Sequence, residues 1–151
     1  MTLHFNIGSN SGHRHALIEQ AVAALSSAFA GSTLRRSEFI ETDPWGFSSD
    51  NRFLNIAVSI VLPSPIPPLR VLDITQDIQR SIDPSPHRDA SGAYIDRAID
   101  IDIIAIDRIV LHHRRLTLPH PRAHLRDFVL IPLREIDPST AQWIETTDTS
   151  R

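Results

Sequence analysis

The sequence has 151 residues, of which 41% are hydrophobic, and this size and composition suit one domain spanning residues 1–151. It contains no cysteine and no lysine, which excludes disulfides, thiolate metal sites, lysine Schiff bases and the lysine of a P-loop. The formal net charge of −3 and the lack of a long apolar segment argue against nucleic-acid and membrane partners, so we expect a cytoplasmic enzyme or binding protein.

Hydrophobic periodicity in the first half of the chain predicts three strands and two helices. Alternating hydrophobic residues predict strands at residues 3–7, 34–42 and 53–61, and helical spacing predicts helices at residues 15–30 and 69–82. The connections between them are rich in glycine, proline, serine and asparagine, as turns and loops are.

The second half begins with an irregular segment at residues 83–96, whose length makes it a candidate lid. A further strand is predicted within residues 97–104, two extended segments at residues 109–111 and 115–118, and a helix at residues 128–136 around Pro132. We expect the folded core to end at residue 138 and residues 139–151 to form a polar, loosely ordered tail.

The predicted order is strand, helix, strand, strand, helix, strand, followed by a C-terminal extension. This is the order of the ferredoxin-like βαββαβ arrangement, an α+β fold in which both helices lie on one face of an antiparallel sheet. The other face of the sheet is then left open for a functional site.

A pair of carboxylates stands on the strand within residues 97–104. Ile99, Ile101 and Ile103 would face the core, and Asp100 and Asp102 would share the other face, roughly 6.5–7 Å apart at the backbone. Such a pair can bind one or two divalent cations, and oxygen ligands suit Mg²⁺. Taken alone, the pattern is more often a solvated strand face.

Cationic residues around this strand favour the metal-site interpretation. Arg97 lies just before the carboxylates, and Arg115, His120 and Arg126 follow downstream. Together they supply donors for a phosphate-rich ligand.

The third predicted strand also carries functional candidates. Phe53 and Asn55 lie on the face opposite the hydrophobic residues of residues 53–61. One offers a flat apolar ring and the other a paired donor and acceptor. An exposed ring and a solvated amide explain the pattern equally well.

Four short motifs, in order along the chain, resemble those of the 6-hydroxymethyl-7,8-dihydropterin pyrophosphokinase family of folate biosynthesis. The resemblance runs from Leu3 to Pro138. The motifs are Ile7-Gly8-Ser9-Asn10, Thr42-Asp43-Pro44-Trp45-Gly46 before Phe53-Leu54-Asn55, Asp96-Arg97-Ala98-Ile99-Asp100-Ile101-Asp102-Ile103, and Leu116-Thr117-Leu118-Pro119-His120 followed by Arg126-Asp127-Phe128.

The resemblance implies transfer of pyrophosphate from ATP to the hydroxymethyl oxygen of the pterin, leaving AMP. It implies that Asp100 and Asp102 hold two Mg²⁺ ions and, with Arg97, form the catalytic set. The implied pterin-binding residues are Thr42, Pro44, Trp45, Phe53, Asn55 and Phe128. The implied nucleotide-binding residues are Gln76, Arg88, Tyr94, Arg97, Ile103, Arg115, Thr117, His120 and Arg126. We expect a monomer whose partners are these two small molecules.

One segment departs from the best-known family pattern, Arg-Trp-Gly-Pro-Arg before the acidic strand. Residues 93–97 here read Ala-Tyr-Ile-Asp-Arg and keep only the last arginine. Tyr94 is a candidate replacement for the tryptophan, and Arg88 for the missing charge. The alternative hypothesis is a pterin- or nucleotide-binding module on the same fold without turnover, whereas an RNA-binding sheet finds little support in the negative charge.

Overall fold

The computed structural model describes residues 1–47, 49, 51–85, 88–93 and 96–147. The strands are β1 (Thr2–Ser9), β2 (Thr33–Arg36), β3 (Ile40–Thr42), β4 (Phe53–Val61), β5 (Asp100–Ile106), β6 (Leu111–His113) and β7 (Leu116–Leu118). The helices are α1 (Arg14–Ala28), α2 (Pro68–Ile82), α3 (Asp127–Ile136) and α4 (Pro138–Thr146), with one 3₁₀ turn at Ala123–Leu125.

The fold is α+β and is built around an antiparallel sheet. Strand β1 lies in the middle and pairs with β4 on one side and β5 on the other. Strands β2 and β3 both pair with β4, which gives the order β2-β4-β1-β5. Strands β6 and β7 form a separate hairpin.

Helices α1 and α2 pack on one face of this sheet, as the alternation predicts. Alternate residues of the three longest strands are buried there against both helices, which confirms the predicted core face. The sheet contributes Leu3, Phe5, Ile7, Leu54, Ile56, Val58, Ile60, Ile101, Ile103 and Ile106 to this core.

The opposite face is open at only one end, which corrects the expectation of a wholly free face. Helices α3 and α4 cover its other end and form a second core with Ala57, Ile104 and Ala105. A β-bulge makes this possible, because His4 pairs with Ala105 and Phe5 with Ile103, so that Ile104 is an extra residue.

Two local predictions were wrong. The strand expected at residues 34–42 is broken into β2 and β3, and at the break the Ser37 hydroxyl accepts a hydrogen bond from the Ala57 N–H at 2.9 Å. The tail expected to be loosely ordered forms α4 up to Thr146, because Asp137 caps its N-terminus and Ala141 and Ile144 are buried.

Across the described residues, no helix is both long and apolar enough to cross a membrane.

Candidate active site

A cleft of about 420 Å³ lies on the open end of the second sheet face. We call it the sheet cleft. Strands β1, β4 and β5 form its floor, and the segment after β7 forms one wall. Its lining residues are Asn6, Gly8, Asp43, Trp45, Phe47, Phe53, Asn55, Arg88, Arg97, Asp100, Asp102, His120, Pro121, Arg122, Arg126 and Phe128.

A second cleft of about 340 Å³, the hairpin cleft, lies between α2, β5 and the β6–β7 hairpin. Its lining residues are Leu72, Thr75, Gln76, Gln79, Asp100, Ile101, Asp102, Ile103, His113, Arg114, Arg115, Leu116, Thr117, His120 and Pro121. Asp100, Asp102, His120 and Pro121 line both clefts. The two clefts therefore meet at the carboxylate pair of β5.

Alternation along β5 places both carboxylates at this junction while Ile101 and Ile103 are buried in the first core. Arg97 Nη1 donates a hydrogen bond to Asp100 Oδ2 at 2.7 Å, and both side chains are largely buried. The Arg97 guanidinium also lies 5.8 Å from the centre of the Phe53 ring. The Arg97 guanidinium thus contacts both Asp100 of the carboxylate pair and the aromatic wall of the sheet cleft.

Only a cation with few protein ligands suits this pair. No group of three or more His, Asp or Glu side chains in the described parts of the chain is placed to hold a metal. Mg²⁺ commonly takes one or two carboxylates and completes its octahedron with phosphate oxygens and water, whereas structural zinc sites need four protein ligands. Asp100 and Asp102 therefore fit Mg²⁺ bound together with a phosphorylated ligand.

His120 is held as a neutral donor beside the carboxylates. Burial, with Arg126 nearby, lowers the pKa of His120 from the usual 6.5 to about 4. Its Nδ1 accepts a hydrogen bond from the Arg122 N–H at 3.2 Å, so the neutral ring carries its proton on Nε2.

Aromatic rings and arginine form the far wall of the sheet cleft. The Arg126 guanidinium lies 4.5 Å from the Trp45 ring centre and 5.4 Å from that of Phe128. Phe47 meets Phe53 edge-on, with ring centres 6.2 Å apart. Flat rings on both sides of a cleft suit a planar heterocycle, because offset and edge-on contacts are favoured.

One amide stands on the floor between these walls. Asn55 is buried on β4, and its Nδ2 lies 3.4 Å from Thr42 Oγ1, a long hydrogen bond. Gly8, its partner on β1, lies so close that a Cβ there would be 2.5 Å from Asn55 Oδ1. The Gly8 backbone therefore packs directly against the Asn55 amide and restricts its position on the cleft floor.

Three loop segments around the sheet cleft are tied together by Asp96. Its two carboxylate oxygens accept hydrogen bonds from Asn10 Nδ2 at 2.8 Å and Asn51 Nδ2 at 2.9 Å. Hydrogen bonds from Ser49, Asn10 and Asn51 hold the pKa of Asp96 below its usual value. The carboxylate therefore stays ionised and holds the 43–52 loop against the segment that carries Arg97.

A family model described as 7,8-dihydro-6-hydroxymethylpterin-pyrophosphokinase matches residues 4–138. Curated proteins named 2-amino-4-hydroxy-6-hydroxymethyldihydropteridine pyrophosphokinase are also similar. The protein from Porphyromonas gingivalis is 39% identical over 137 residues, 90% of each chain. Those from Bacillus subtilis and Methylorubrum extorquens are 36% and 33% identical over 86% and 89% of this chain, and 74% and 82% of their own.

The chain belongs to the pterin pyrophosphokinase family. It is an ATP-dependent pyrophosphokinase, a transferase of folate biosynthesis that acts on 6-hydroxymethyl-7,8-dihydropterin. The family and reaction predicted from the four motifs are thereby confirmed. The alternative of a non-catalytic binding module receives no support.

Most residues predicted for the pterin lie together in the sheet cleft. Trp45, Phe53, Asn55 and Phe128 line it. Thr42 supports Asn55 through the long hydrogen bond described above. Pro44 stands between Asp43 and Trp45, which both line the cleft.

The residues predicted for the nucleotide divide between the two clefts of the pyrophosphokinase. Gln76, Ile103, Arg115 and Thr117 line the hairpin cleft, and His120 lines both clefts. Arg88, Arg97 and Arg126 line the sheet cleft. Tyr94 lies outside the described residues.

Sequence reasoning missed several lining residues. Asn6, Asp43, Phe47 and Arg122 line the sheet cleft, and Gln79 lines the hairpin cleft while its Oε1 accepts a hydrogen bond from the Ile101 N–H at 2.8 Å. Asn6 was detectable, because a polar residue between Phe5 and Ile7 must face away from the core. The loop residues Phe47 and Arg122 have no periodicity that could have indicated them.

Proposed function

We propose that the sheet cleft binds the pterin and the hairpin cleft binds the nucleotide of ATP, so that the reacting groups meet at β5. The observation that carries this proposal is that Asp100, Asp102 and His120 line both clefts. The hydroxymethyl oxygen then attacks the β-phosphorus of ATP, the bond to the α-phosphate oxygen breaks, and AMP leaves. Holding the two substrates at one junction favours this displacement, because alignment removes much of the entropic cost.

Asp100 and Asp102 are proposed to hold two Mg²⁺ ions together with the triphosphate. Ions held by these two carboxylates would neutralise phosphate charge and would favour an in-line displacement. Arg97, whose guanidinium contacts Asp100, orients that carboxylate and supplies positive charge at the junction. His120 donates through Nε2–H to a phosphate oxygen, and Arg115 binds the triphosphate from the hairpin side.

The pterin ring is proposed to lie between the aromatic side chains of Phe53 and Phe128. Both rings line the sheet cleft, and Trp45 with the Arg126 guanidinium covers its far wall. The Asn55 amide forms hydrogen bonds with the edge of the heterocycle. A polar site of this kind rejects analogues that leave its buried groups without hydrogen bonds.

We further infer that the sheet is of ferredoxin-like type and that the chain works as one domain and as a monomer in the cytoplasm, without nucleic acid. The order β2-β4-β1-β5, with α1 and α2 on one face, supports the first inference. The net charge of −3 argues against nucleic acid.

The test is AMP release from ATP, measured with and without the pterin while Mg²⁺ is varied. We expect pterin-dependent AMP from the wild type and at least about a hundredfold lower kcat in Asp100→Ala and Asp102→Ala, with both variants still folded. Asp77→Ala, which removes an exposed carboxylate on α2, is the matched control and keeps full activity. Wild-type turnover by Asp102→Ala would overturn the metal assignment.

A further inference from the structure

Asn6 is a buried amide in the middle of β1. Its side chain lines the sheet cleft, only 3% of the residue is exposed, and its cross-strand neighbours are Ala57 and Asp102. Its Nδ2 donates a hydrogen bond to the Phe128 carbonyl oxygen at 2.9 Å. Burying an amide is costly unless it is hydrogen-bonded, so this contact decides how the side chain is oriented.

The carbonyl that Asn6 binds cannot receive its normal helical hydrogen bond. Phe128 is the second residue of α3, and the residue four positions later is Pro132, inside the same helix. In an α-helix the N–H of that residue would donate to the Phe128 carbonyl, but proline has no N–H. The Asn6 amide therefore supplies, from the sheet, the donor that Pro132 removes from the helix.

This hydrogen bond joins the floor of the sheet cleft to its wall. It fixes the main chain at Phe128, whose ring lines the cleft and lies next to the Arg126 guanidinium. We propose that Asn6 is a positioning residue that holds the first turn of α3, and with it the Phe128 ring, in the geometry that stacks on the pterin. The inference rests on the proposed binding of the pterin in the sheet cleft.

The decisive experiment compares Asn6→Ala, Pro132→Ala and the double variant in steady-state assays. Asn6→Ala leaves the carbonyl without a donor and is expected to raise the pterin KM about tenfold while kcat and the ATP KM change less than about twofold. Pro132→Ala restores an N–H at the required position. The double variant is therefore expected to regain most of the lost pterin affinity.

Ser37→Ala is the matched control for stability. Ser37 accepts a buried hydrogen bond from the Ala57 N–H at 2.9 Å in the same sheet. Losing this hydrogen bond in Ser37→Ala should lower the melting temperature, as losing the Asn6 hydrogen bond does in Asn6→Ala. Since Ser37 does not line either cleft, the pterin KM of Ser37→Ala is expected to stay at the wild-type value. If Asn6→Ala fails to fold, Asn6→Ser, whose hydroxyl is too short to reach the carbonyl, takes its place.

Phe53→Ala separates failure of this inference from failure of the proposed site. If Phe53→Ala leaves the pterin KM unchanged, the assignment of the sheet cleft is wrong. If Phe53→Ala raises the pterin KM but Asn6→Ala does not, the positioning role of Asn6 is wrong. A raised pterin KM that the double variant fails to reduce would also overturn it, because the effect would then not pass through the Phe128 carbonyl.

Discussion

Gly8 sits between two functional side chains on the floor of the sheet cleft. Its cross-strand partners are Asn55 on β4 and Asp100 on β5. A Cβ at this position would lie 2.5 Å from Asn55 Oδ1, which is closer than real Cβ atoms approach other atoms. Only glycine therefore leaves enough space at this position for the Asn55 amide.

We predict that Gly8→Ala raises the pterin KM about tenfold, because the added methyl group displaces the Asn55 amide. The change should act through Asn55 alone. In a double-mutant cycle, Gly8→Ala combined with Asn55→Ala should therefore cost no more than Asn55→Ala by itself. Steady-state kinetics with the pterin varied measures all four proteins, and additive losses would contradict the prediction.

At the level of elements, long periodic segments were predictable and interrupted ones were not. Strand β4 and helix α2 have uninterrupted patterns, and the structure has both close to the predicted bounds. At the break the Ser37 hydroxyl accepts a hydrogen bond from the Ala57 N–H in place of a backbone carbonyl, a tertiary contact that a period-two pattern does not contain. Helix α4 has few apolar residues, although Asp137 followed by Pro138 is a known helix start.

The same distinction applies to the candidate site. The alternation in two predicted strands indicated four site residues, because each lies on the strand face opposite the hydrophobic residues. These are Phe53, Asn55, Asp100 and Asp102. Trp45 entered only through the family resemblance, and Arg122, in a loop, was missed. The position of a loop side chain depends on contacts such as the one between the Arg122 guanidinium and Trp45, 5.9 Å apart, and local sequence does not encode these contacts.

Helix α4 should contribute to stability but not to catalysis. Ile144 is buried in the second core, whereas Gln142 on the same helix is exposed. Ile144→Ala is expected to lower the free energy of unfolding by roughly 2–4 kcal/mol, because it leaves a cavity. Urea denaturation measures this, with Gln142→Ala as the matched control that changes little. A kcat below half the wild-type value in folded Ile144→Ala would contradict the claim that α4 contributes to stability and not to catalysis.

For the molecule as a whole, two histidines with lowered pKa values lie near the second sheet face: His4, which is buried on β1, and His120, which is half-buried in the segment after β7. Burial lowers the pKa of His4 and outweighs the hydrogen bond between its Nε2 and Asp137 Oδ2 at 2.9 Å. Burial acts to raise the pKa of Asp137, but hydrogen bonds from Thr140 and His4 lower it overall. The native pair is therefore a neutral imidazole beside an ionised carboxylate, and His120 is likewise neutral, with a pKa of about 4.

These shifts predict that the ligand-free enzyme loses stability in mild acid. An unfolded histidine takes up a proton near pH 6.5, whereas native His120 does so only near its pKa of about 4, so the unfolded state binds more protons between these values. The contribution of His120 to the free energy of unfolding is thus constant above about pH 7 and falls as the pH decreases towards about 4. The lowered pKa of Asp137 adds a further loss only below about pH 4, because that carboxylate stabilises the fold while ionised.

The size of the effect can be measured by urea denaturation near pH 7 and near pH 5. His120 alone should lower the free energy of unfolding by about 2 kcal/mol between these conditions, and His4 adds to this. His120→Gln cannot take up a proton at this position and should retain only the part of the pH dependence that does not come from His120. An equal pH dependence in His120→Gln and the wild type would mean that His120 is not held neutral by burial.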